Sequence, residues 1–266
     1  MRGWNVSPEQ MAASRRQYEV TLPIGYADGE GVIHRQAVLR KMTGREEAIL
    51  ADRRYHRNGG KLVTELLHSC VTRLGELEPN GRGTFANLYS ADRNFLLLKL
   101  RSITFGSELE ATYQCPGCSE QLHFTEDLDE LPVRRLPDGD ERAEIAVELE
   151  DGWLDREGQV HTALRLRLPT GADEESVAPQ LRENASLGKN ALLARCIISL
   201  GDVPAYRLEG MGSRIMSDLT MADRRLIDRA LNDAAPGVEL VRALECPGCG
   251  KQFSASLDMS NFLVMA

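Results

Sequence analysis

The 266-residue chain reads as an α+β protein built from one unit written twice. Three observations predict this. The stretch "YQCPGCSEQLHF" at 113–124 returns as "LECPGCGKQFSA" at 244–255, the segments upstream of each return in the same order, and each copy passes from strand-like alternation through helical periodicity back to strand. The expected architecture is an internal tandem duplication. Each copy would hold a β-hairpin, about three helices and a Cys-Pro-Gly-Cys zinc knuckle, with the halves related by a pseudo-twofold.

The repeat is longer than the knuckle. Cys115 and Cys246 lie 131 residues apart (246 − 115), and the same offset carries Ala91-Asp92-Arg93 onto Ala222-Asp223-Arg224. "LLHSCVTRLGEL" from 66 matches "LLARCIISLGDV" from 192, placing Cys70 on Cys196 and Gly75 on Gly201; "GYADGEGVIH" from 25 matches "GWLDREGQVH" from 152, placing Asp28 on Asp155 and His34 on His161. Thr43-Gly44 falls on Thr170-Gly171 at the offset of that last pair. Preserved order with small drifts in spacing predicts repeat 1 at 18–130 and repeat 2 at 145–266, an N-terminal arm at 1–17, and a linker at 131–144 whose prolines, glycine and charges are hinge chemistry.

Within each copy, "QYEVTLPIGYADGEGVIHRQAVLRKM" or "EIAVELEDGWLDREGQVHTALRLRL" alternates apolar and polar residues around an Asp/Gly turn and predicts a hairpin. Thr-Gly followed by acids then offers a helix N-terminus, since threonine caps free amides and acids suit the positive dipole end. "KLVTELLHSCVTRLG" and "KNALLARCIISLG" predict a second helix that stops at Gly75 or Gly201. A third runs through "ADRNFLLLKLRSI" or "ADRRLIDRALNDA", and a strand leads into the knuckle. Cys70 and Cys196 fall on apolar helix faces and predict core packing. His34 and His161 predict turn-closing residues, and Asp92-Arg93 with Asp223-Arg224 predict structural contacts at a helix start.

The chemistry centres on the knuckles. Cys-x-x-Cys in a tight turn supplies two thiolates, and two knuckles complete a tetrahedron around zinc. One copy holds only half a site, because His123 of the first knuckle is matched by Ser254 in the second. The economical solution is one structural zinc on Cys115, Cys118, Cys246 and Cys249, joining the halves. A redox dithiol is the first alternative, but such pairs sit at helix N-termini that lower the thiol pKa, whereas these follow strands. Disulfide-linked or vestigial pairs are the other.

Composition excludes several classes. A net charge of −8 and a pI of 5.3 argue against attraction to nucleic acid or an anionic membrane, and the knuckle neighbours "SEQLHFTEDLDEL" and "GKQFSASLDMSNFL" are neutral to acidic. A zinc-ribbon nucleic-acid-binding or regulatory adaptor is therefore the second reading. No signal-peptide core or membrane-length apolar run occurs, which predicts a cytoplasmic protein. No phosphate loop, nucleophile elbow or His-Glu-x-x-His is present, and a zinc with four thiolates has no open position for water, so no enzyme is expected. The arm carries Trp4, with Tyr18 just beyond it, among basic residues and reads as a docking peptide.

The ordered set of "VTLPIGYADGEGVIHRQAVLRKMTGREEAIL", "LLHSCVTRLG" and "NLYSADRNFLLLKLRSITFGSELEATYQCPGC" resembles the baseplate hub assembly proteins of contractile-tailed phages and contractile injection systems. It spans about 110 residues of the first copy and returns in weaker form in the second. The resemblance implies a structural subunit or an assembly chaperone that docks to hub, spike, tail or other baseplate subunits, and possible incorporation in the particle. The second copy departs from that pattern.

Overall fold

A computed structural model describes residues 17–78, 81–137 and 144–257. The order of elements in the first half is β1 (Gln17–Ala27), β2 (Ile33–Arg40), α1 (Gly44–Leu50), α2 (Gly59–Cys70), β3 (Val71–Leu74), α3 (Arg82–Asn87), α4 (Ser90–Phe105), β4 (Glu108–Gln114) and β5 (Gln121–Asp127). After the short β6 (Val133–Arg134) comes β7 (Glu144–Leu154), β8 (Val160–Arg167), α5 (Gly171–Glu183), α6 (Ala185–Cys196), β9 (Ile197–Leu200), α7 (Ala205–Asp218), α8 (Met221–Ala234), β10 (Gly237–Val238), β11 (Val241–Glu245) and β12 (Gln252–Ser256). The class is mixed α and β, with helices packed on several small sheets. Two three-stranded antiparallel sheets, β1-β2-β3 and β7-β8-β9, start the halves, and β4-β5 and β11-β12 end them as hairpins.

Each half contains four described helices, not about three, and the predicted helix ends at Gly75 and Gly201 are corrected. The helices stop at Cys70 and Cys196. The following β-branched pairs, Val71-Thr72 and Ile197-Ile198, pair with the hairpin at Leu39↔Val71 and Leu166↔Ile197 instead of continuing the helix. Gly75 and Gly201 end these strands at positive φ of 55° and 47°, each close against a histidine ring of the hairpin.

The Ala-Asp-Arg motif opens α4 and α8 and braces the long hairpin of its own half. Strand register shifts between Thr21 and Tyr26 and again between Glu148 and Trp153, leaving backbone amides without ladder partners. Asp92 accepts the amides of Ile24 and Gly25 at 2.9 Å each, and Asp223 those of Glu150 and Gly152 at 2.7 and 3.0 Å. Burial pushes Asp92 up to about 6 against the pull of those amides. Acids at the predicted Thr-Gly helix starts also recur: Glu46 accepts the Thr43 amide and pairs with Arg40 at 2.7 Å, while Asp173 accepts the Thr170 amide and pairs with Arg167 at 2.6 Å. Burial would raise both, but these partners hold each down to about 2.

The halves are joined by more than the chain. Arg93 on α4 has no exposed surface. Its Nη1 donates to Phe85 O at 2.7 Å and Thr64 Oγ1 at 2.9 Å, its Nη2 donates to Gly60 O at 2.7 Å, and its Nε lies 3.3 Å from Glu174 on α5. The guanidinium occupies the space where a Cβ on Gly171 would stand. Alongside, Ser90 N donates to Pro169 O at 2.8 Å and Gly171 N to Leu88 O at 3.0 Å. Two cores result: one holds Leu22, Leu39, Leu66, Phe85 and Leu96, the other Trp153, Leu164, Leu166, Ile215 and Ile227. They exchange residues, with Leu240, Leu244 and Leu257 on the first and Tyr89, Ala91 and Leu136 on the second.

Residues 1–16, holding Trp4 and nearly all of the expected arm, and linker residues 138–143 lie outside the described residues. Gln17 and Tyr18 belong to β1. The start of the segment 131–144 is anchored, since β6 pairs with β10 and Leu131 and Leu136 are buried. The expected pseudo-twofold is not shown, because the Arg93 contact is one-sided: α5 of the second half enters the first, and no described contact returns the favour through α1.

Replacing Arg93 with leucine leaves two buried carbonyls and Glu174 without their donor. A loss of about 3 kcal/mol or more in urea unfolding free energy is expected; an unchanged midpoint would mean that the joint carries no stability.

Candidate metal centre

Each knuckle is a turn between two strands whose last ladder pairs are Gln114↔Gln121 and Glu245↔Gln252. The backbone closes on itself in the same way in both. Cys115 N donates to Glu120 O at 2.9 Å and Ser119 N to Cys115 O at 2.9 Å, while Cys246 N donates to Lys251 O at 3.0 Å and Gly250 N to Cys246 O at 2.8 Å. That last turn needs a left-handed residue, supplied by Ser119 at φ 62° and by Gly250 at φ 69°.

The two hairpins meet face to face and bring Cys115, Cys118, Cys246 and Cys249 together, with all four sulfurs within 4.8 Å of one another. Cys115 Sγ is 3.6 Å from Cys249 Sγ, and Cys118 Sγ is 3.6 Å from Cys246 Sγ, contacts that span 134 and 128 residues of chain. A tetrahedron with Zn–S bonds of about 2.3 Å has edges of about 3.8 Å, so the donor set and spacing fit a tetrahedral thiophilic ion. Cys115 and Cys246 are buried on Leu122, Phe124 and Phe253, while Cys118 and Cys249 face outward.

The electrostatics suit a cation. The Cys118 amide, with help from the Gly117 amide 3.3 Å from its sulfur, pulls Cys115 down to about 6. Burial pushes Cys246 up, and the neighbouring thiols add to that rise. One thiolate forms readily here, and the next is opposed until a positive ion compensates the growing charge.

The knuckles also brace each other through a pair of glycines. Glu120 reaches across so that its carboxylate occupies the space of a Cβ on Gly248, and the Lys251 stem does the same over Gly117. The Glu120 carboxylate accepts from the Cys246 thiol at 3.6 Å and the Cys118 thiol at 3.9 Å. Sequence reasoning passed over Glu120 and Lys251. The available signal was their matched place, two residues after the second cysteine of each knuckle.

The other sequence candidates sit elsewhere. His123 is exposed and shares a hydrogen bond with Thr112 at 3.1 Å. His34 and His161 face turn aspartates, at 2.9 Å from Asp28 and 3.3 Å from Asp155. Each aspartate also accepts two turn amides, those of Glu30 and Val32 or of Glu157 and Gln159, so the histidines close turns. Cys70 and Cys196 are buried, and burial pushes each up to about 12. They are packing residues. Among the described residues no helix is long and apolar enough to cross a membrane.

A family model described as T4 bacteriophage base plate protein matches residues 15–264. The chain belongs to this family. The match covers both halves and both knuckles, so the four-cysteine cluster of this base plate protein lies within the matched region. No curated protein and no solved structure gives a significant match.

Ser119 holds a left-handed conformation that costs an L-residue about 1–2 kcal/mol, whereas glycine loses only about 0.5–1 kcal/mol of unfolded-state freedom there. Ser119→Gly is therefore expected to raise the melting temperature slightly. A fall would show that the serine side chain contributes something to the knuckle that its backbone strain does not predict.

Proposed function

We propose that this chain is a non-enzymatic structural or assembly component of the baseplate of a contractile tail, docking to hub and other baseplate subunits. The family match over nearly the whole chain supports this. In this reading Cys115, Cys118, Cys246 and Cys249 hold one structural zinc. Four thiolates fill its coordination, so the ion carries load and not chemistry. The two halves are tandem copies at 18–130 and 145–266, joined by a linker at 131–144, and the arm at 1–17 is a docking peptide. The matched order of elements and the recurrence of Asp92 as Asp223, Glu46 as Asp173 and Arg93 as Arg224 support the duplication.

Elemental analysis and native mass spectrometry of protein purified without chelator are expected to give one zinc per chain. Closing a loop of 128 residues restricts the unfolded chain by about 4–5 kcal/mol if the ion acts as a covalent cross-link does. Cys118→Ser is expected to lose the metal and a comparable share of stability; wild-type melting after complete metal loss would remove the load-bearing role.

The baseplate reading has its own test. Deleting the gene from its phage or injection-system cluster should stop baseplate completion, seen as absent or tube-only tails by electron microscopy. Normal contractile particles from the deletion would overturn it.

A further inference from the structure

The joint between the halves leaves one unpaired piece of the same kind in each half. Its socket, in the first half, consists of the extended strip Leu88-Tyr89-Ser90, the Arg93 guanidinium and Thr64. The plug is Pro169-Thr170-Gly171 with Glu174, at the start of the second half.

By the sequence offsets that align the halves, the second half carries its own socket: Leu219-Thr220-Met221, Arg224 and Asn190. Its backbone is already in the socket conformation, with Leu219 at φ −61°, ψ 142° and Thr220 at −63°, 159°, against −61°, 144° for Leu88 and −59°, 144° for Tyr89. Arg224 Nη1 donates to Met216 O at 2.7 Å, the counterpart of the Arg93 bond to Phe85 O. The resemblance stops where a plug would begin. Arg224 is half-buried and has no ion pair among the described residues, Met221 is 67% exposed, and Asn190 Oδ1, on a residue only 8% exposed, has no hydrogen-bond partner. An acceptor left unmade on α6 and a half-buried cation without a counter-ion among the described residues on α8 are each a polar group that lacks its partner.

The first half carries the corresponding plug, Met42-Thr43-Gly44 with Glu47. Gly44 has open space where Gly171 meets Arg93, and Glu47 is exposed and in no ion pair among the described residues. We infer that the occupant of the second-half socket is the first-half plug of a second copy of this chain, the two copies joining head to tail as the halves already do. Glu47 of one copy would pair with Arg224 of the next, Met221 N would donate to Met42 O, and Gly44 N to Leu219 O. Such a contact is heterologous, so repetition builds a ring or an open chain and not a closed twofold pair. The inference rests on the proposed equivalence of the two halves.

The test is sedimentation velocity of the full-length, metal-loaded chain from micromolar to submillimolar concentration. Concentration-dependent association is expected, weakened at least about tenfold by Glu47→Arg with melting temperature unchanged, and likewise by Arg224→Glu. Mixing the two variants should restore association, because the native Glu47 of one meets the native Arg224 of the other and the two reversed positions are again opposite in charge. A chain that stays monomeric throughout, or association that neither reversal weakens, overturns the joint. Zinc content measured on the same samples reports separately on the four-thiolate reading, so a monomer carrying one zinc removes the head-to-tail joint alone.

Discussion

A guanidinium with no exposed surface must have its donors answered inside the protein, because an unpaired buried charge costs several kcal/mol. Arg93 meets that demand by drawing on four residues in three helices: Gly60 in the N-terminal turn of α2, Thr64 farther along the same helix, the carbonyl of Phe85 in α3, and Glu174 in α5. Only the last lies in the second half. The requirement thus fixes how α2, α3 and α4 cross and sets α5 against them, and Gly171 is needed because any side chain there would displace the guanidinium.

With α5 so placed, the second hairpin and its helices have a fixed origin, and the chain must return to the first half to end. It does so through β10, which pairs with β6, and through Leu240, Leu244 and Leu257 on the first core. That return is what brings the second knuckle opposite the first. The four sulfurs are gathered there, with Leu122, Phe124 and Phe253 beneath and the Glu120–Gly248 and Lys251–Gly117 contacts at the sides.

What was legible in the sequence was whatever is written locally. The Cys-x-x-Cys spacing, the Asp/Gly turns that His34 and His161 close, and the Thr-Gly-acid helix starts each lie within a few residues of their partners, so pattern alone exposes them. The grouping of the cysteines across the chain followed from counting ligands, since one copy holds only two. Recurrence marked Asp92 and Asp223 as important but not their job, because a carboxylate capping a bulge 68 residues away leaves no local trace. The helix ends were misplaced for a related reason. Cys70-Val71-Thr72 continues the helical period, and only pairing with β2 decides that Val71 is strand. Arg93 showed as half of a repeated dipeptide, while the interface it organises depends on α5, far along the chain.

The two contacts between the halves differ in kind. At the knuckles the contact is reciprocal: exchanging the halves maps Cys115–Cys249 onto Cys246–Cys118, and both pairs stand 3.6 Å apart. At the helices it is directional, for Arg93 receives Glu174 while Arg224 receives nothing from Glu47. No single twofold relates a reciprocal contact and a directional one between the same two bodies, so the matched sequences do not occupy matched surroundings. The difference shows in burial. α4 buries Phe95, Leu96, Leu97, Leu98 and Leu100 between knuckles and sheet, whereas its counterpart α8 buries Asp223 and Ile227 and leaves polar residues outward. Of the two helices, α4 is the one enclosed, and α8 is left with its polar face outward.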